Sequence, residues 1–158
     1  MKMKSMPRIL RNKTSKGFTI VELLVVISVM AILAMFFVNN STTNLKKGRD
    51  ARRKSDLELI RSGIETYKAD CGSYPASGAI SYGNSLKGSG ATANCSNANT
   101  YITKVPQDPQ NNAGKTYSYT LAGGVYTICA SLEAVAGAVP GGCGSCGSSA
   151  CNYSVTSP

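Results

Sequence analysis

Twenty-one consecutive residues from Phe18 to Val38 carry a single ionisable side chain, Glu22, and no other stretch constrains the fold so tightly. A helix needs about 20 apolar residues to cross the hydrocarbon core of a bilayer, so this run is long enough to span one. It exceeds the ~7–15-residue apolar region of an ordinary secretory signal. Ahead of it stand Lys2, Lys4, Arg8, Arg11, Lys13 and Lys16 with no acid among them, a pattern that reads as a cytoplasmic flank. On these features alone the segment is an uncleaved membrane anchor with its positive side in the cytoplasm. Glu22 is then an acid in the wrong solvent.

The formal net charge of +9 suggests nucleic acid until it is divided along the chain. Residues 1–17 supply +6, and the other eleven bases and eight acids leave +3. The basic balance belongs mostly to the leader, which points to membrane topology before nucleic acid. All six cysteines, Cys71, Cys95, Cys129, Cys143, Cys146 and Cys151, follow the apolar run, as expected for disulfides in an exported domain. Histidine is absent, so the usual general base and the commonest metal ligand are missing. No Ser/His/Asp set is possible and no Gly-rich phosphate loop precedes a helix. The expectation is a protein that is not an enzyme and has no cofactor.

Past the apolar run, Asn39 to Asn44 is polar and of low helix propensity. Lys46 to Arg61 is rich in charge and reads as a solvated helical face laced by salt bridges, with anionic lipid or nucleic acid as a weaker alternative. No aromatics alternate with these bases to stack on nucleotides, so nucleic acid is possible but not indicated. From Asp56 the apolar positions Leu57, Ile60, Ile64, Tyr67 and Cys71 recur at helical spacing, which predicts one packed face. Gly72 and Pro75 should end this helix. A continuous helix from Phe18 to Asp70 would reach about 80 Å at 1.5 Å per residue, so half of it is expected to project. Residues 72–100 read as a long Gly/Ser/Ala/Asn loop, and 101–109 as a proline-marked connection. Thr116 to Leu121 and Val125 to Leu132 alternate around Ala122-Gly123-Gly124 and predict an antiparallel hairpin. Tyr153-Ser154-Val155 is a candidate last strand in a Gly/Ser-rich tail.

Lys16-Gly17-Phe18-Thr19-Ile20-Val21-Glu22-Leu23 resembles the class III signal of type IV prepilins and type II secretion pseudopilins. Asp56 to Pro75 is similar to the helix end and turn of that family, as is Val105-Pro106-Gln107-Asp108-Pro109 with its tyrosine-rich hairpin. The resemblance implies cleavage between Gly17 and Phe18 by a prepilin peptidase, N-methylation of Phe18 and an assembly role for Glu22. It implies a structural subunit of a type IV pilus or pseudopilus, an inner-membrane assembly platform and copies of itself and other pilins as partners. Membrane lipid would surround it before assembly. It would reside in the cytoplasmic membrane first and in a surface or periplasmic filament afterwards. The polar 39–44 stretch marks either the membrane interface or a helix hinge of the kind this family uses. Many pilins have proline where this chain has Asn39. Many major pseudopilins have a late acidic calcium loop, whereas the late acids here are only Asp108 and Glu133, so no metal is expected.

The expected fold is α+β: a long N-terminal helix, transmembrane in its first half, packed on a small antiparallel β-sheet. The expected divisions are a cleaved basic leader at 1–17, a transmembrane and filament-core helix at 18–38, its amphipathic continuation at 39–71, and a disulfide-containing extracytoplasmic head at 72–158. Six cysteines allow 15 connectivities. Cys71 with Cys95 would close the long loop onto the helix end, and Cys129 with a tail cysteine would tie the tail to the hairpin. Cys129, Cys143, Cys146 and Cys151 as zinc thiolates are the lesser reading. The alternative function is a monomeric, membrane-anchored binding module that keeps its leader. The two differ at one bond: Gly17→Val is expected to leave the precursor at its leader-bearing mass on immunoblots, and efficient processing of that variant would contradict the cleavage site.

Overall fold

The computed structural model describes residues 17–135, 137 and 139–158, so the basic leader before Gly17 lies outside the described residues. Helix α1 runs Ile20–Cys71, 52 residues. Its backbone stays helical through Asn39 to Asn44, where side-chain propensity alone predicts weakness. Propagation from turns already formed on both sides outweighs a few tenths of a kcal/mol per residue. The helix stops where expected: Gly72 takes φ +77°, and its N–H bonds Lys68 O at 2.8 Å. Only a residue without Cβ enters that left-handed conformation freely.

The chain forms two compact units that divide between Asn40 and Ser41. In the first, the large apolar side chains from Phe18 to Phe37 are each at least 50% exposed. The helix there is long and apolar enough to cross a membrane. So large a contiguous apolar surface is covered by lipid or by other protein, not by water.

In the second unit, α1 packs on a small antiparallel β-sheet. Strands β3 (Ser118–Ala122), β4 (Val125–Ala130) and β7 (Tyr153–Thr156) lie in the order β3-β4-β7. The predicted hairpin is β3-β4, with Leu121 opposite Tyr126 and Ala122 opposite Val125. Gly123 and Gly124, at φ +61° and +81°, make its two-residue turn. The last strand docks on β4 with Val155 opposite Ile128. Leu57, Ile60 and Ile64, all fully buried, join Tyr117, Tyr126, Ile128 and Val155 in one core cluster. The helical spacing thus becomes the packed face that the sequence predicts.

Residues 72–100, read as a loop, contain one strand of a two-stranded antiparallel ladder whose other strand runs on into the 101–109 connection. Strand β1 (Leu86–Lys87) pairs with β2 (Thr100–Ile102). So short a ladder has little stability of its own. It is held by Leu86 and Ile102, buried in the core, and by the Cys71–Cys95 disulfide. A second small hairpin, β5 (Ser145–Cys146) with β6 (Ser149–Ala150), lies in the tail. The Cys146–Cys151 disulfide closes it, and Cys129–Cys143 ties the tail to β4.

On α1, Gly63 faces Ile102 so closely that any Cβ there would overlap the Ile102 side chain. Gly63→Ala is therefore expected to destabilise the head by about 1–3 kcal/mol through overpacking. Denaturant melts of the single and double variants check this: Ile102→Ala should relieve the penalty, and additive losses would contradict the contact.

Candidate functional site

The non-helical residues Gly17, Phe18 and Thr19 lead into α1, and the first turn explains why the helix starts at Ile20. Four N–H groups at a helix start have no partner within the helix. Here Thr19 Oγ1 accepts from the Glu22 N–H at 3.2 Å, and Glu22 Oε2 accepts from the Thr19 N–H at 3.0 Å. The Thr19 hydroxyl also donates to Glu22 Oε2 at 2.8 Å. This is the reciprocal capping box expected of Thr-x-x-Glu ahead of an apolar run. The pattern is legible in the sequence as Thr19-x-x-Glu22. Glu22 is not stray: its carboxylate sits at the positive end of the helix dipole and satisfies the end of the backbone ladder. Phe18 is 85% exposed beside it. Gly17, Phe18 and Glu22 are thus brought together on one short segment, with the Gly17–Phe18 bond outside the helix.

A second cluster lies in the head. The buried face of α1 continues below Leu57 to Arg53 and Asp50, 0% and 5% exposed, at the same helical phase as the core. These two residues correct the reading of 46–61 as a solvated face. The Arg53 guanidinium uses all five of its N–H groups. Nε and Nη2 donate to the two Asp108 oxygens at 2.8 and 3.0 Å, and Nη1 donates to Asp50 and Glu133 at 2.7 Å each. The fifth bond runs from Nη2 to Gln110 Oε1 at 3.0 Å. Arg49 grips Glu133 from the other side, with Nε to Oε1 at 2.8 Å and Nη2 to Oε2 at 2.6 Å. Asp50 in turn accepts the N–H groups of Glu133 and Ala134.

Both late acids are therefore committed to arginines. Among the described residues no group of three or more His, Cys, Asp or Glu is placed to hold a metal ion. Cys129, Cys143, Cys146 and Cys151 are taken up in two disulfides rather than presented as thiolates. Sequence reasoning missed Arg53 because its partners Asp108 and Glu133 lie 55 and 80 residues away. The available signal was phase: a charged residue on the line of Leu57, Ile60 and Ile64 must be paired inside.

The hydrogen bonds from Arg49, opposed by the cost of burial and reinforced by those from Arg53, hold the Glu133 carboxyl down at about 2, against an ordinary 4.5. A depressed carboxyl adds stability that is complete above the unfolded-state value and lost as pH falls toward the folded one. The urea midpoint of the head is thus expected to drop as pH falls from 4.5 toward 2. Glu133→Gln should flatten that dependence, and an equally steep profile in the variant would contradict the role of this carboxyl.

A family model described as the prokaryotic N-terminal methylation motif matches residues 12–38. A second, for protein G of the type II secretion system, matches residues 40–136. Proteins named type II secretion system core protein G are similar to the chain. That of Klebsiella michiganensis is 36% identical over 66 residues, 42% of this chain and 46% of the relative, so that match spans less than half of the relative's length. Those of Aeromonas hydrophila and Vibrio cholerae are 27% and 29% identical over 81% and 75% of this chain, and 90% and 79% of their own. No solved structure matches.

Proposed function

The chain belongs to the type II secretion system protein G family and is a structural subunit of the pseudopilus of that system, and from this premise we propose how its N-terminus is used. Family membership narrows the choice of pilus or pseudopilus to the second, and it implies assembly with other pseudopilins. In the proposed sequence, the subunit first rests in the cytoplasmic membrane through α1, with its leader in the cytoplasm. A prepilin peptidase cuts between Gly17 and Phe18 and methylates the new N-terminus of Phe18. An inner-membrane assembly platform then moves the subunit into a periplasmic or surface filament with copies of itself.

The observation that carries this reading is the capping box. It stops the helix at Ile20 and leaves Gly17 and Phe18 in non-helical backbone, the form in which a protease takes a peptide. It also gives Glu22 a provisional partner. A carboxylate near the bilayer centre costs about 2.5–3.5 kcal/mol on insertion scales, and local hydrogen bonds offset part of that cost while the subunit waits. Cleavage creates a better one. The freed α-amine of Phe18, with a reference pKa of about 7.7–8.0, is protonated at neutral pH, and only Oε2 of Glu22 is used by Thr19. In the filament, the amine of an incoming subunit meets Glu22 of one already in place. Removing one partner of such a buried pair costs roughly 3–5 kcal/mol, enough to select one register during assembly.

Glu22→Ala keeps the Thr19 hydroxyl cap on the backbone N–H of residue 22, so it is expected to be cleaved and methylated normally, read by mass spectrometry as a chain that begins at methylated Phe18, and to form few or no filaments by electron microscopy. Wild-type filament numbers from that variant would overturn the assembly role. An unprocessed wild-type N-terminus in a host with active peptidase would overturn the cleavage.

A further inference from the structure

Over its first residues the head hides its acid and shows its bases. Between residues 42 and 55 the only acid is Asp50, 5% exposed and committed to Arg53 and two backbone N–H groups. Arg49 and Arg53 are likewise committed inward. What faces outward over those residues is Lys46, Lys47, Arg52 and Lys54, all exposed and without an ion-pair partner among the described residues. In sequence, this cationic stretch begins eight residues after the apolar run ends.

Within it lies an open depression of about 310 Å³, lined by Lys47, Asp50 and Lys54 together with Ala51, Leu132, Ala134 and Val135. Lys47, Ala51 and Lys54 are spaced i, i+4, i+7, so one face of α1 supplies both ammonium groups and part of the apolar lining. Lys54 is steadied over the Tyr153 ring at 5.3 Å. Val135 remains 50% exposed. The Asp50 oxygens that reach this site are occupied by the N–H groups of Glu133 and Ala134 and by Arg53, so they repel an incoming anion weakly.

We propose that this depression holds the phosphate headgroup and upper acyl segment of an anionic phospholipid in the leaflet from which the head emerges. Two cations beside four apolar side chains match a group that is charged at one end and hydrocarbon at the other. A second copy docked through this same face fits poorly, because a two-fold contact would bring the same four exposed cations together. The phospholipid is released when the subunit is drawn into the filament. The proposal rests on the anchoring of α1 in a bilayer described above.

The test uses the leaderless full-length chain in nanodiscs of pure phosphatidylcholine or of an equimolar mixture with phosphatidylglycerol. Lysine acylation rates are read residue by residue by mass spectrometry. Cations near an anionic surface gain roughly fivefold in residence each, so Lys47 and Lys54 should react about fivefold more slowly in the mixed discs, and Lys87 and Lys104 equally in both. Val135→Asn, a change at an exposed position, should abolish most of the protection of Lys47 and Lys54 while leaving Lys46 as in the parent. Protection unchanged in that variant means a diffuse electrostatic film and overturns the site. Protection in both disc types that grows with subunits per disc means a second copy covers the face and also overturns it. Rates for Lys47 and Lys54 that are the same in the two disc types, in discs that contain the chain, overturn the lipid site alone, whereas a chain that enters neither disc overturns the anchoring as well.

Discussion

A guanidinium with no solvent exposure is tolerable only if every donor has an acceptor and its charge is met, and the head depends on that condition at Arg53. Asp108 and Gln110 come from the segment before the β3-β4 hairpin, and Glu133 comes from the segment after it. One side chain on α1 therefore fixes both ends of the hairpin to the helix. Leaving any of these charges unpaired inside the protein would cost several kcal/mol, so the two segments can sit only where they do. The apolar stripe of Leu57, Ile60 and Ile64 supplies adhesion without direction, and Arg53 supplies the direction.

Glu22 meets the same difficulty at the other end of the same helix and resolves it differently. Arg53 is met by distant residues in a folded interior, an arrangement as permanent as the fold. Glu22 is met by Thr19, three residues away, through contacts that a helix end forms by itself. Such local bonds are exchanged easily. Under the assembly role proposed for Glu22, a carboxylate that changes partners is best held by something weak and near. One meant to hold a domain together is best held by something strong and far.

That contrast also explains what could be read in the sequence. The helix, its end at Gly72, the hairpin and the last strand were legible because each is written in local periodicity and turn residues. The membrane-length run and the Gly17-Phe18 junction with Glu22 were legible for the same reason. The β1-β2 ladder was not, because Leu86–Lys87 is too short to alternate and is held by a core and a disulfide that local residues do not announce. Arg53 looked like one more charge in a charged stretch, since its meaning lies with Asp108 and Glu133. Asp50 and Arg53 were nonetheless on the buried line, and phase outranks residue type when a helix packs. The role of Thr19 is harder to read because an acid in an apolar run points to charge, although the helix end is the nearer need.

The three disulfides join Cys71 to Cys95, Cys129 to Cys143 and Cys146 to Cys151. Taken along the chain, each cysteine is bonded to its immediate neighbour in the series, and no loop encloses or crosses another. A head whose residues emerge in chain order into an oxidising compartment, and that joins each new thiol to the one still waiting, arrives at this arrangement directly. Nothing needs to be broken and remade, so the head asks its compartment for an oxidant and not for an isomerase.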